Sequence, residues 1–144
     1  MTTLNVHEQA GLDPNSGDSP LVLIVEDNDK NARLLATMLK GAGYQVRLAM
    51  DGSEGARMTC ELLPAMILTD LQMPGMDGLE MTRILKARPD TCSIPIIAVT
   101  AHALDEHREQ ALAAGCCNFI SKPFRYRDLL AEVARAIGRE LTHV

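Results

Sequence analysis

Five short apolar runs punctuate the chain, and each is followed by a segment with helical spacing. Residues 21–25, Leu-Val-Leu-Ile-Val, form an unbroken aliphatic run of the kind carried by a parallel strand buried on both faces. Asn28 or Asp29 can cap the next helix, whose apolar positions Leu34, Leu35, Met38 and Leu39 recur at helical intervals until Gly41 and Gly43 stop it. Residues 44–50 alternate enough to predict a strand at a sheet edge, and residues 53–63 predict a helix halted by Pro64. The run 66–70 predicts the central strand. It ends on a carboxylate, Asp70, and breaks into a loop containing Pro74 and Gly75.

The second half repeats the alternation. Residues 78–88 predict a third helix with Leu79, Ile84 and Leu85 facing inward and Pro89 ending it. Residues 94–100 predict a fourth strand that tolerates Pro95 near its start and delivers Thr100 to its carboxyl end. A fourth helix is expected over 105–114, closed by Gly115, and a fifth strand over 118–122, ending on Lys122 before Pro123. Residues 124–141 predict the last helix, with Leu129, Leu130, Val133 and Ile137 as its apolar stripe. Strands alternating with helices across short connections imply βαβ units. The expected fold is therefore α/β, a three-layer sandwich with a five-stranded parallel sheet and five helices.

One domain is also what 144 residues allow. Residues 1–19 lack periodicity and are expected to form a flexible leader, residues 20–140 the domain, and residues 141–144 a tail. With 47% hydrophobic but only 3% aromatic residues and no Trp, the core must be aliphatic. A net charge of −5 offers no broad basic stripe, so nucleic acid is not the expected partner. Cys60, Cys92, Cys116 and Cys117 form no CxxC pair, which suits reduced thiols better than a disulfide framework or a zinc site. With neither a secretory pattern nor a run of about 20 apolar residues, the expected location is the cytoplasm, away from the membrane.

Candidate chemistry gathers at the strand ends. In a parallel sheet all carboxyl ends lie on one rim, so Glu26, Asp27, Asp70, Thr100 and Lys122 can converge although they are far apart in sequence. Three carboxylates in one pocket repel each other unless a cation joins them, and an all-oxygen set favours a hard divalent ion. Mg2+ fits, because it accepts one or two carboxylates and keeps water and phosphate oxygens as its other ligands. Asp70 can then attack a phosphoryl group in line, with Lys122 and Thr100 holding its oxygens. Taken singly, each residue has a plainer explanation: Glu26 and Asp27 favour the start of the following helix, Thr100 is a strand-end hydroxyl, and Lys122 is a surface lysine. Asp77, just before Gly78, reads as a helix cap, and Met73, Met76 and Met81 as packing.

Four motifs stand in order: Val25-Glu-Asp-Asn28, Thr69-Asp-Leu-Gln-Met-Pro-Gly-Met-Asp-Gly78, Val99-Thr-Ala101 and Ser121-Lys-Pro-Phe124. On these, the chain resembles a response-regulator receiver domain of two-component signalling, of the stand-alone type similar to chemotaxis regulators, over roughly residues 20–138. The resemblance implies a flavodoxin-like sheet of strand order 2-1-3-4-5. It also implies Asp70 as phosphoacceptor, and Mg2+ held by Asp27, Asp70, the backbone carbonyl of Gln72 and, through water, Glu26. Thr100 and Phe119 would be the switch pair, Lys122 the phosphate-binding lysine, and the bond between Lys122 and Pro123 cis. Phe119 brings no hydroxyl, so its movement would be governed by packing alone.

The implied partners are a histidine kinase or histidine phosphotransfer protein upstream and a protein target downstream. The target would be reached through the fourth helix, fifth strand and fifth helix, over residues 103–110 and 124–128. Gln72 and His102 are candidates for tuning acyl-phosphate hydrolysis. The chain would act as a signalling switch that catalyses only its own modification. A haloacid-dehalogenase hydrolase would need an acid/base Asp at position 72, and no GxxxxGK[ST] supports a P-loop enzyme. Because six residues follow Gly138, a stand-alone receiver is the expectation. A receiver piece of a hybrid histidine kinase or longer regulator, and a phosphorylation-independent scaffold, are the alternatives.

Overall fold

A computed structural model of the chain describes residues 19–101 and 105–142, without the side chains of 139–142. Residues 1–18 of the expected leader therefore lie outside the described residues, as do His102, Ala103 and Leu104, whereas Ser19, its last residue, is buried and its carbonyl accepts from Gln45 Nε2 at 2.7 Å. Five strands run β1 Leu21–Val25, β2 Gln45–Ala49, β3 Met66–Thr69, β4 Ile96–Thr100 and β5 Asn118–Ser121. The helices between and after them are α1 Asp29–Gly41, α2 Gly52–Leu62, α3 Gly78–Lys86, α4 Asp105–Ala114 and α5 Tyr126–Thr142. All pairings are parallel, and the order is β2-β1-β3-β4-β5, so the fold is the flavodoxin-like sandwich the sequence implies.

The period of two along each strand decides which layer each residue joins. Leu23, Val25, Ile67, Ile96 and Ala98 pack with Met58 of α2, Met81 and Leu85 of α3 and Ala111 of α4. Their neighbours Val22, Ile24, Met66, Leu68, Ile97 and Val99 pack on the other face with Leu35 and Leu39 of α1 and Leu129 and Val133 of α5. Every residue of β3 and β4 is buried, which is why those runs carry no polar alternation.

Several boundaries and faces differ from expectation. Leu34 is 61% exposed and Ile84 38% exposed, so neither faces inward. On α1 the buried stripe is Ala32, Leu35, Ala36 and Leu39, and on α3 it is Gly78, Met81, Thr82 and Leu85. A run of leucines or isoleucines shows that one face is apolar without saying which member lies at its centre. β4 begins at Ile96 because Pro95 has no N–H to give the ladder, although its carbonyl accepts from Ile67 at 3.0 Å. α2 begins at Gly52, with Asp51 as its cap, because the Asp51 carboxylate accepts from the Glu54 N–H at 2.8 Å. α3 stops at Lys86, where the buried Thr91 hydroxyl donates to the Leu85 carbonyl at 2.7 Å. α5 begins two residues late, at Tyr126.

The four cysteines are free thiols. Burial pushes the Cys116 thiol up to about 11 despite an opposing contact from the Thr82 hydroxyl, which leaves it unreactive at neutral pH. The two leucines of α1 give a direct check on the packing. Leu39→Ala, at a fully buried site, is expected to lower stability in urea unfolding by about 3 kcal/mol. Leu34→Ala is expected to stay within about 0.5 kcal/mol of wild type.

Candidate functional site

The site is assembled by strand ends that are held in place one residue past the ladder. Beyond β1, the Glu26 N–H donates to the Ala49 carbonyl at 3.0 Å, and beyond β3 the Asp70 N–H donates to the Val25 carbonyl at 3.0 Å. Beyond β5, the Lys122 N–H donates to the Thr100 carbonyl at 2.8 Å. Glu26, Asp70 and Lys122 therefore each leave a backbone already fixed by the neighbouring strand, which gives the site its precision.

At this rim one carboxylate oxygen each from Glu26, Asp27 and Asp70 lies within 4.8 Å of the others. Glu26 is buried, with its side chain only 4% exposed, whereas Asp27 is exposed and Asp70 half-buried. Burial pushes the Glu26 carboxyl above its ordinary value of 4.5, and the neighbouring Asp70 charge adds to that. The Asn28 N–H, which donates to Glu26 Oε2 at 3.2 Å, and the Lys122 ammonium pull the other way. Lys122 Nζ reaches Glu26 Oε1 at 3.4 Å, joining the first strand's end to the last. The Lys122–Pro123 peptide is cis.

The loop after β3 carries the phosphoacceptor candidate. The Gln72 N–H donates to Asp70 Oδ1 at 3.4 Å, and the Thr69 hydroxyl donates to the Asp70 carbonyl at 2.8 Å. Gly78 opens α3 directly against that carbonyl, where any Cβ would collide with it. Asp77 caps the helix by accepting from the Glu80 N–H at 3.0 Å. Met73 and Met81 are buried in the core, and Met76 packs at its margin. Thr100 is fully buried at the end of β4, while Phe119 is already packed inward among Met81, Leu85, Ala111 and Cys116. Pro123 follows on the exposed surface.

Two residues beside the site went unnoticed in the sequence, Asp51 and Gly52. The spacing Asp51-Gly-Ser-Glu54 is a capping-box signal: the Asp51 side chain accepts from the Glu54 N–H, and Glu54 Oε1 accepts from the Met50 N–H, one residue before the cap, at 2.7 Å. The Gly52 N–H donates to the Met76 carbonyl in the loop after β3 at 2.9 Å.

Chemically, three gathered carboxylates, one of them buried, suit a hard divalent cation, and the ammonium beside them suits an anionic oxygen. No helix among the described residues is long and apolar enough to cross a membrane.

Comparison with known proteins identifies the family. Residues 22–134 match the family model described as the response regulator receiver domain. The chain is 40% identical over 115 residues to the response regulator PleD of Caulobacter vibrioides, a match covering 80% of this chain and 25% of that protein. It is 35% identical over 117 residues to the polar-differentiation response regulator DivK of Brucella anthropi, covering 81% of this chain and 95% of that one. Among solved structures, the receiver domain of a Pseudomonas aeruginosa sensor histidine kinase, which has a magnesium ion coordinated in its active-site cleft, is 37% identical. It superposes with a TM-score of 0.79 over 83% of this chain and 98% of that one. The chain belongs to the response-regulator receiver domain family of two-component signalling.

Proposed function

We propose that this receiver accepts a phosphoryl group on Asp70 in a Mg2+-dependent reaction and changes its partner-binding surface in response. The observation that carries the reading is the meeting of Glu26, Asp27 and Asp70 within 4.8 Å, with Lys122 reaching in from the opposite side of the sheet. An Asp70 oxygen forms the new bond to phosphorus while the P–N bond of a phosphohistidine on a kinase or phosphotransfer protein breaks, and the imidazole leaves. Asp27, Asp70 and the Gln72 backbone carbonyl, with Glu26 through water, would hold the metal, which neutralises charge on the phosphoryl oxygens. Lys122 serves the same oxygens from the other side, and the Thr100 hydroxyl hydrogen-bonds one of them.

Lys122 links phosphorylation to the rest of the fold. It bonds Glu26 in the unmodified state, and a new phosphoryl group on Asp70 competes for the same ammonium. Thr100 shares the end of β4 with the segment leading to α4, so its movement alters the surface over residues 103–110 and 124–128. Phe119 already faces inward, and its share in the switch is a local repacking. The partners are a histidine kinase or phosphotransfer protein and a downstream protein target, met in the cytoplasm. The chain spans only a quarter of PleD's length.

Incubation with Mg2+ and a small-molecule phosphodonor, read by intact-mass spectrometry, is expected to add one phosphoryl group to wild type and none to Asp70→Asn. Lys122→Ala is expected to slow the gain roughly 100-fold. An unchanged gain in Asp70→Asn would move the acceptor elsewhere.

The buried Glu26 gives a second check. Its folded pKa is raised, so its stabilising contribution is complete below the unfolded value and is lost as pH rises through the folded one. At pH 7 the charge therefore works against folding in the metal-free protein. Glu26→Gln is expected to raise the melting temperature in chelator at pH 7, with the gain shrinking toward pH 4. Saturating Mg2+ is expected to stabilise wild type more than the variant.

A further inference from the structure

The corner between β2 and α2 touches both halves of the acidic cup. From one end, the Ala49 carbonyl accepts the Glu26 N–H at 3.0 Å; from the other, the Gly52 N–H donates to the Met76 carbonyl at 2.9 Å. The two residues between these contacts, Met50 and Asp51, are tied to the first turn of α2 by hydrogen bonds. Asp51 caps the Glu54 N–H at 2.8 Å, Glu54 returns a bond to the Met50 N–H at 2.7 Å, and the Gly55 N–H bonds the Asp51 carbonyl at 2.9 Å. A Cβ on Gly52 would stand 2.5 Å from the Met76 carbonyl oxygen and 2.8 Å from that of Asp77. Those are backbone atoms, so no side-chain rotation relieves the collision, and the loop would have to move.

From this, we infer that Gly52 is a positioning residue. By letting the helix start lie flush against Met76 and Asp77, it sets the distance between the loop bearing Asp70 and Gln72 and the strand end bearing Glu26 and Asp27. The inference rests on the metal-binding reading of that cup. It extends the metal site's support to a residue that touches neither metal nor phosphoryl group.

Gly55, one turn along the same helix, separates positioning from simple stability. A Cβ there would stand 2.8 Å from Met81 Sδ and 2.9 Å from Val25 Cγ2, so it crowds the core and leaves the loop alone. Mg2+ affinity is to be measured by NMR titration of the full chain, alongside melting temperature, for wild type, Gly52→Ala and Gly55→Ala. Gly52→Ala is expected to weaken Mg2+ binding about tenfold, while Gly55→Ala melts lower yet binds within about twofold of wild type. Asp51→Ala, which loosens the corner without a clash, should weaken binding about threefold and serves if Gly52→Ala does not fold. Wild-type affinity in Asp51→Ala or in a folded Gly52→Ala would overturn the inference, as would a loss in Gly55→Ala equal to that in Gly52→Ala. Absence of Mg2+ binding by wild type would instead overturn the metal reading beneath it.

Discussion

A carboxylate almost sealed from solvent beside two others is an arrangement that folding alone does not favour. Glu26 gives up hydration at the end of β1, and inside the protein it recovers an Asn28 N–H and a long contact to the Lys122 ammonium. Buried charge persists where it is paired or serves a ligand, and this pairing is incomplete by distance and by count. The surrounding structure holds that unfavourable group in place. β1 is flanked by β2 and β3, and both neighbours contribute or accept backbone hydrogen bonds at the rim. The aliphatic layers above and below the sheet supply the stability against which the charged cup is maintained.

Parallel topology turns that local arrangement into a device. Glu26 and Lys122 are separated by 96 positions in the chain and meet because β1 and β5 point the same way in one sheet. Lys122 thus ties the end of the last strand directly to the buried carboxylate at the end of the first. The loop between Asp70 and Gly78 is held at its start by Thr69, at its end by Gly78 and in its middle by Gly52. The Asp70 carboxylate thus sits on a short, braced segment, and the braces leave it half-exposed.

Much of this was legible in the sequence for a physical reason. Strands buried on both faces read as aliphatic runs, so β1, β3 and β4 announce themselves, and the polar residues ending those runs mark the rim. The rest was hidden where one symbol has two uses. Leu34 and Ile84 are apolar yet point outward, because neighbouring apolar residues on a helix leave its rotation undetermined until the sheet is placed. Gly52 resembles a turn glycine, and its role depends on a carbonyl 24 residues away that no local pattern reveals. Phe119 belongs to the same core cluster as Met81 and Cys116, a placement compatible with a core residue and with a moving part alike.

The claim on which everything rests is that the three carboxylates share one cation. Crystals of the chain grown with Mn2+ in place of Mg2+ and measured at the manganese absorption edge test it directly. The account predicts a single strong anomalous peak bounded by Asp27 and Asp70, with Glu26 behind it. A map with no peak in that cup, or with the metal bound elsewhere on the surface, would contradict it.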